Sequence, residues 1–286
     1  MNFLFLTARY YSLDLGCNYH FLSQGYIAVK IINLRSFFFL ISLSLFFICN
    51  IFSQGKYFCS YTDEPIIVDG TLSESTWRNA RPLPFFVPPD FRVPESRTIA
   101  KMLWDDQFIY VAFKAEDMDL KSTFTQRDSK TFLEDVLEIF LQPHPPEKFY
   151  YNFEINALGT VFDAANGKIK PGDLRQKWNC DDLQTGIRTR GTMNQSDDKD
   201  ASWVMEVAIP FDSLPSLEQN VPEHKEKWRF HLSRYDYSGY LTDGKELSSC
   251  AHLTKVNYHY MPDWMGLIFV KNEDSREDVS DIISNP

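Results

Sequence analysis

The chain has 286 residues, of which 44% are hydrophobic and 15% aromatic, and its formal net charge is −10. A surface of that sign repels the phosphate backbone of nucleic acids, so the composition excludes them as expected partners and favours a neutral or cationic ligand. The length is sufficient for one sizeable hydrophobic core.

The N-terminal segment predicts export. Phe37–Phe52 is an apolar run of 16 residues, preceded by Lys30 and Arg35. Because a membrane-spanning helix needs about 20 apolar residues, the run is more typical of a secretory signal peptide than of an uncleaved anchor. We therefore interpret residues 1–54 as a signal peptide, and we hypothesise that residues 1–28 reflect an overlong start assignment.

The predicted mature chain is more acidic than the precursor. Residues 1–54 hold three basic residues and one acidic residue, so the net charge without them is −12. We expect a secreted protein, or a periplasmic or cell-envelope one, and expect it to be a monomer. An exported protein could pair two of its three remaining cysteines, and Cys180–Cys250 is favoured because Cys59 lies in a terminal arm.

The first predicted elements are short. Tyr57–Pro65 reads as an arm, and Ile66–Val68 as a small strand that ends at the Asp69-Gly70 turn. A short helix should follow from an N-cap at Ser73. The five prolines between residues 81 and 95 predict an extended loop.

The rest of the chain alternates between apolar and polar residues, as β-strands do. Strands are predicted at Thr98–Trp104, Phe108–Ala115, Asp135–Gln142, Phe149–Asn156, Thr160–Ala164, Gly186–Met193, Trp203–Ile209, Trp228–Tyr235 and Gly266–Lys271. Many short strands with turn residues between them predict an all-β fold, an antiparallel β-sandwich of jelly-roll type with one or two short helices. The predicted domain covers residues 55–271, and residues 272–286 read as an acidic disordered tail.

Alternation also predicts a polar side for several strands. The side chains opposite the apolar face include carboxylates, amides, a histidine and a serine; they are Glu138, Asn152, Glu154, Asn156, His231 and Ser233. If these strands share one sheet, the side chains offer paired donors and acceptors to sugar hydroxyls. The alternative is an ordinary solvated sheet face.

Seven segments carry a family resemblance by their order and spacing. They are IIVDGTLSESTW (Ile66–Trp77), LWDDQFIYVAFKAED (Leu103–Asp117), FLEDVLEIFLQP (Phe132–Pro143), YYNFEINALG (Tyr150–Gly159), WVMEVAIPF (Trp203–Phe211), WRFHLSR (Trp228–Arg234) and PDWMGLIF (Pro262–Phe269). Together they resemble the family 9 carbohydrate-binding modules, a group with a DOMON-like β-sandwich. The resemblance implies a non-catalytic protein of an exported glycan-utilisation system. Its expected ligand is an oligo- or polysaccharide, and its expected partner is a glycoside hydrolase.

The resemblance also implies site residues. The family pattern W-x-x-D-x-V-E is matched by Phe132, Asp135, Leu137 and Glu138, with phenylalanine in place of the stacking tryptophan. A second stacking aromatic is expected among residues 258–260, and Glu154 stands where the family often has arginine. Together with Trp178, a tryptophan in a loop, the predicted ligand-binding residues are Phe132, Glu138, Asn152, Glu154, Asn156, Trp178, His231, Ser233 and Tyr258.

Two other functions stay open at this point. A glycoside hydrolase would need two carboxylates at a fixed separation, and Glu138, Glu154 and Glu206 could share one face. A haem-binding module of DOMON-like type could draw axial ligands from Met102, Met205, Met261, His231, His252 and His259. The sequence has no nucleophile or nucleotide motif, and no catalytic residue is predicted.

No cofactor is predicted, although loop carboxylates could hold structural calcium. The candidate ligands are Asp105, Asp106, Asp117, Asp119, Asp181 and Asp182. Because no stretch has the spacing of a calcium-binding loop, solvated turn acids are the favoured interpretation.

Overall fold

The computed structural model describes residues 55–167, 178–218 and 220–271, within the unit Gln54–Pro286. The predicted signal peptide and the predicted C-terminal tail lie outside the described residues and stay predictions. No helix in the described part of the chain is long and apolar enough to cross a membrane.

The described elements are almost all strands. They are β1 (Lys56–Tyr61), β2 (Leu83–Pro84), β3 (Thr98–Trp104), β4 (Phe108–Glu116), β5 (Val136–Gln142), β6 (Tyr150–Asn156), β7 (Val161–Asn166), β8 (Gln184–Arg190), β9 (Ser202–Pro210), β10 (Lys227–Tyr237), β11 (Lys245–Ser249) and β12 (Met265–Val270). One α-helix, α1 (Thr76–Asn79), is described, with short 3-10 helices at Thr131–Leu133, Phe211–Ser213, Pro215–Leu217 and Met261–Asp263. The predicted all-β fold is confirmed.

The described strands form one curled 12-stranded sheet, and we call its two halves the first sheet and the second sheet. The first half runs β7-β6-β5-β10-β12, with β11 also paired to β10, and the second runs β3-β4-β9-β8, with β2 on β3. β1 joins them, since it pairs with β12 on one side and β3 on the other, in parallel both times. All other named strand pairs are antiparallel. The interpretation of Tyr57–Pro65 as an arm is therefore wrong, because its first residues form this joining strand.

One hydrophobic core lies inside the curled sheet. Leu137 and Ile139 of β5 share it with Phe113 of β4 and Met205 of β9, so residues from both halves pack together. Each of these side chains is fully buried. The apolar faces predicted from alternation are confirmed, because alternate residues of these strands lie in this core, as the side-chain period of a strand requires.

The segment before β2 differs from its prediction. Ile66–Val68 is not a strand, because its backbone hydrogen-bonds to a side chain instead of to another strand. The Ile67 N–H donates to Glu74 Oε1 at 3.1 Å. The helix begins later than predicted, with Ser75 at the N-cap and no side-chain capping bond.

The structure also contains a strand that was not predicted and lacks the disulfide that was. β11 was not predicted, because the sequence Lys245–Ser249 shows no apolar alternation. The expected pairing of Cys180 with Cys250 is also wrong, since both thiols are buried and free, as is that of Cys59. The core holds these cysteines as small apolar side chains.

Candidate functional site

The strands that carry the predicted polar side chains are neighbours in the first sheet. Glu138 of β5 faces Glu154 of β6 and Ser233 of β10 across the two strand pairs. Register partners project from the same side of a sheet, so these three side chains form one row. Asn152 of β6 lies one row further along, facing Phe140 of β5. We call Glu138, Asn152, Glu154 and Ser233 the polar face.

The two glutamates at the centre of the polar face are bound by neutral side chains. Ser233 Oγ donates to Glu138 Oε2 at 2.6 Å. Asn152 Nδ2 donates to Glu154 Oε1 at 3.0 Å, and Thr131 Oγ1 donates to its Oε2 at 3.2 Å. Only 3% of Glu138 and 6% of Glu154 is exposed. The two carboxylates are therefore almost enclosed, and the polar face is not an open charged surface.

Burial and mutual repulsion act on the protonation of this pair. Burial, followed by the charge of Glu154, raises the pKa of Glu138 well above its usual value. Burial also raises the pKa of Glu154. Two carboxylates directly opposite each other resist ionising together, so the pair favours a state with a shared proton or a bound donor.

Aromatic side chains border the polar face. Phe132, which follows Thr131 on the 3-10 helix, is 38% exposed. Its carbonyl accepts a hydrogen bond from Tyr237 Oη at 2.9 Å, which fixes the position of the helix. Lys245 Nζ lies 5.1 Å and 4.9 Å from the ring centroids of Tyr235 and Tyr237. We call Phe132, Tyr235 and Tyr237 the aromatic rim, and it supplies flat apolar surfaces beside acceptor groups.

His231 lies in the same sheet, but other side chains pack over it. Its ring stacks on Trp264 at a centroid distance of 6.2 Å, and it also contacts Phe140 and Tyr258. The side chain is fully buried, and burial lowers the pKa of His231 to about 3. The ring is thus neutral and enclosed, contrary to the sequence-based expectation of an accessible polar residue.

Tyr258 belongs to the loop that covers His231. Its hydroxyl lies 3.0 Å from the Arg234 carbonyl and 3.1 Å from the Ser248 carbonyl, and its ring is buried. Tyr260 is partly exposed, and Lys255 Nζ lies 3.4 Å from its ring centroid. Tyr258 therefore anchors the loop instead of presenting a stacking surface.

Asn156 is at the end of β6, and its side chain is already engaged. Its Nδ2 donates to Glu134 Oε1 at 2.6 Å and to the Phe124 carbonyl at 2.9 Å. Its Oδ1 accepts from the Leu158 and Thr160 N–H groups. Asn156 therefore joins the β6–β7 turn to the segment that carries Phe132, and this role had no signal in the sequence.

Trp178 is on the opposite side of β6 from the polar face. Its ring packs 4.9 Å from that of Tyr151 and 5.9 Å from that of Phe153, both core residues. Its Nε1 donates to the Ser213 carbonyl at 3.1 Å. The prediction that Trp178 is an exposed ligand contact is not supported by this position.

Glu206 does not join the other two glutamates. It lies on β9 of the second sheet, where its Oε2 accepts from the Asp69 and Gly70 N–H groups and its Oε1 from Trp77 Nε1. The expectation that Glu138, Glu154 and Glu206 share one face is wrong. Only the facing pair on β5 and β6 remains as a candidate for acid chemistry.

Two of the candidate haem ligands lie apart from the histidines. Met102 and Met205 belong to the core between the two sheets, whereas His231 and His259 both contact Phe140 on the outer side of the first sheet. Side chains on opposite sides of a sheet cannot ligate one iron together. The described structure therefore does not combine Met102 or Met205 with these histidines.

One of the calcium candidates, Asp117, belongs to a buried group of acidic residues around an arginine. Asp117 joins Asp135 and Asp236 in a buried group whose oxygens lie within 4.8 Å of one another. The guanidinium of Arg234 already lies among them, 2.9 Å from Asp117 Oδ2 and 3.0 Å from Asp236 Oδ2. Asp135 accepts two backbone N–H groups. Arg234 thus supplies one positive charge among three carboxylates, and structural calcium stays a prediction.

The other calcium candidates do not form a group with them. Asp105 accepts hydrogen bonds from Gln107 N, Phe108 N and Tyr110 Oη. Asp106 pairs with Lys271 at 3.4 Å. Asp119 binds Lys121 and the Gly239 N–H, and Asp181 and Asp182 are exposed. Asp105, Asp106, Asp181 and Asp182 thus have the surroundings of ordinary turn acids, whereas Asp119 is buried and its N–H donates to Asp117 Oδ1.

A curled β-sandwich with a polar sheet face and an aromatic rim defines a binding module. Residues 68–272 match the family model described as Carbohydrate family 9 binding domain-like, and the chain belongs to this family. No curated protein sequence matches the chain significantly. The comparisons do not address the broader DOMON-like grouping, which stays a prediction.

Solved structures share the fold at low sequence identity. A protein from Bacteroides uniformis ATCC 8492 to which carbohydrate binding is attributed superposes with a TM-score of 0.57 and 14% identity, covering 76% of this chain and 100% of that one. A family 9 carbohydrate-binding module from Caldicellulosiruptor kristjanssonii in complex with cellotriose gives 0.52 and 13%, covering 77% and 96%. A family 9 module from the same organism in complex with glucose gives 0.52 and 14%, covering 77% and 97%.

Proposed function

We propose that the chain is a non-catalytic carbohydrate-binding protein of an exported glycan-utilisation system, and that it binds sugar at the polar face. The observation that carries the proposal is the row Glu154–Glu138–Ser233, to which Thr131, the residue before the exposed Phe132, is hydrogen-bonded. Membership of a carbohydrate-binding family supports it, as do relatives of the same fold in complex with cellotriose and glucose.

The chemistry of the polar face suits a sugar. Carboxylate oxygens accept hydrogen bonds from ligand hydroxyls, and Asn152 Oδ1 has no hydrogen-bond partner in the described part of the chain although it is buried. The ring of Phe132 offers a flat apolar surface to the C–H side of a sugar. Glu138, Asn152, Glu154 and Phe132 are thus the proposed ligand contacts.

Four other predicted residues hold the proposed contacts in position without being proposed contacts themselves. Ser233 orients Glu138, and Asn156 holds the segment that carries Phe132. His231 and Tyr258 pack beneath or within the covering loop. Their proposed role is to position the contacts.

A glycoside hydrolase is the second candidate, because Glu138 and Glu154 face each other directly. Side chains at such positions have Cβ atoms about 4.5–5.5 Å apart, and retaining glycosidases use carboxyls about 5–5.5 Å apart. Binding is favoured because both groups are enclosed and engaged by protein donors. Release of reducing sugar by the parent that is lost in Glu138→Gln would reverse this preference.

A glycan array with the purified protein tests the proposed function. We expect retention of oligosaccharides, and loss of retention in Glu138→Ala but not in Glu147→Ala, an exposed glutamate in the β5–β6 turn. Failure of every glycan to bind would overturn the proposal. Export, a partner glycoside hydrolase and a monomeric state stay predictions, testable by intact mass, co-purification and sedimentation.

A further inference from the structure

The acid pair of the polar face differs from the other buried carboxylates of the described chain. Four cations neutralise the first set: Lys121 binds Asp119, Arg127 binds Asp163, Arg234 binds Asp117 and Asp236, and Arg92 binds Glu246. Backbone N–H groups bind the second set: Glu74, Glu134, Asp135, Asp200 and Glu206. A carboxylate can be buried when a cation or backbone N–H groups compensate its charge in this way.

Glu138 and Glu154 have neither kind of partner among the described residues. Their donors are the neutral side chains of Ser233, Asn152 and Thr131. Two facing carboxylates without a cation are unfavourable for the fold, because like charges directly opposite in a sheet repel. A positive group between them would relieve both the repulsion and the burial.

A third acceptor lies beside the pair. Asn152 donates its Nδ2 to Glu154, which leaves its Oδ1 unpartnered and buried in the described structure. The register partner of Asn152 on β7 is Ala164, whose methyl group offers no polar atom to that oxygen. An ammonium group has three donors and no acceptor, which matches two carboxylates and one amide oxygen.

We propose that the polar face is selective for sugars that carry a free, protonated amine, with the ammonium held between Glu138, Glu154 and Asn152. This inference rests on the proposed function, since it names the class of sugar for the same site. The net charge of −12 on residues 55–286 favours the approach of a cationic glycan.

Calorimetric titration with three matched trisaccharides tests the selectivity, namely those of glucosamine, N-acetylglucosamine and glucose. We expect the glucosamine trisaccharide to bind at least about tenfold more tightly than the other two, because only its amine is charged. Glu154→Gln keeps the shape of the side chain and removes one charge, so it should reduce the preference to about twofold or less. Glu147→Ala, the exposed control, should keep the parent's preference.

The outcomes separate the two proposals. Equal or tighter binding of the glucose trisaccharide, or a preference that persists in Glu154→Gln, overturns the amine selectivity and leaves carbohydrate binding intact. Absence of binding by all three overturns both. Tight calcium binding that is lost in Glu154→Gln would assign the pair to a metal ion and also overturn the inference. Melting curves of each variant confirm that it is folded.

Discussion

The outer sides of the two sheets carry the same sequence feature with different consequences. On the second sheet, the Glu206 carboxylate accepts from Gly70 N at 2.6 Å, Asp69 N at 3.1 Å and Trp77 Nε1 at 3.0 Å. On the first sheet, Glu138 has one hydroxyl partner, Ser233. A glutamate at an alternating position is thus held by backbone donors where a loop supplies them, whereas Glu138, which lacks such donors, is a proposed ligand contact.

Glycine allows the loop to close over Glu206. Gly70 has a φ of +78°, and a Cβ there would meet the Arg188 backbone nitrogen at 2.9 Å. A Cβ at Gly186, the register partner of Glu206 on β8, would lie 2.5 Å from the Val68 carbonyl oxygen. The close approach of loop and sheet therefore requires residues without side chains at both points.

The largest expected effect is a loss of stability when the Glu206 carboxylate is removed. Glu206→Ala leaves two backbone N–H groups and one indole N–H without an acceptor, and each such group costs about 1–3 kcal/mol. We expect the free energy of unfolding to fall by about 3 kcal/mol or more, measured by denaturant titration. An unchanged free energy of unfolding for Glu206→Ala, together with a large loss for Glu138→Ala, would show that Glu138 and not Glu206 is the structural glutamate.

The second effect concerns binding. Glu138→Ala removes a charged acceptor from the polar face and should weaken sugar binding about tenfold or more, since a hydrogen bond to a charged group contributes about 1.5–3 kcal/mol. Stability should change little, because the side chain points away from the core and its partner is one hydroxyl. Calorimetry beside melting curves measures both, and parent-like affinity would place the site elsewhere.

The third effect is a pH-dependent gain in stability. Burial raises the pKa of Glu154 in the folded chain, so the fold loses stability as pH rises from the unfolded pKa, about 4.3, through the higher folded value. Glu154→Gln removes that charge and its repulsion with Glu138, which should add on the order of 1 kcal/mol near neutral pH. The gain should vanish below the unfolded pKa. A gain that is independent of pH in melting curves would show that repulsion is not its cause.

The smallest effect concerns the aromatic rim. Phe132→Ala should weaken sugar binding about two- to tenfold, because an aromatic contact contributes about 0.5–1.5 kcal/mol. Phe132→Trp should hold or improve affinity by enlarging the surface. Leu133→Ala, which truncates the exposed neighbour, is the control for local disturbance. Equal affinities for all three variants would show that the ring does not contact the ligand.

The sequence by itself determined the strands and their two sides. Alternation in residues 135–142 and 149–156 predicted both β5 and β6, and it separated Leu137 and Ile139 from Glu138 correctly. These properties depend on neighbours one or two positions away, because the side-chain period of a strand is two. The order of the seven segments also identified the family, which the match over residues 68–272 confirms.

The tertiary structure alone decided which side is covered and by what. His231 lies beneath Trp264, Tyr258 reaches the carbonyl of Arg234, and Trp178 packs against the core face of β6. Glu206 finds its partners 129 to 137 positions away in the chain. Periodicity assigns two sides to a strand but carries no information about the distant segment that will pack on either, because that depends on where loops from other parts of the chain come to lie.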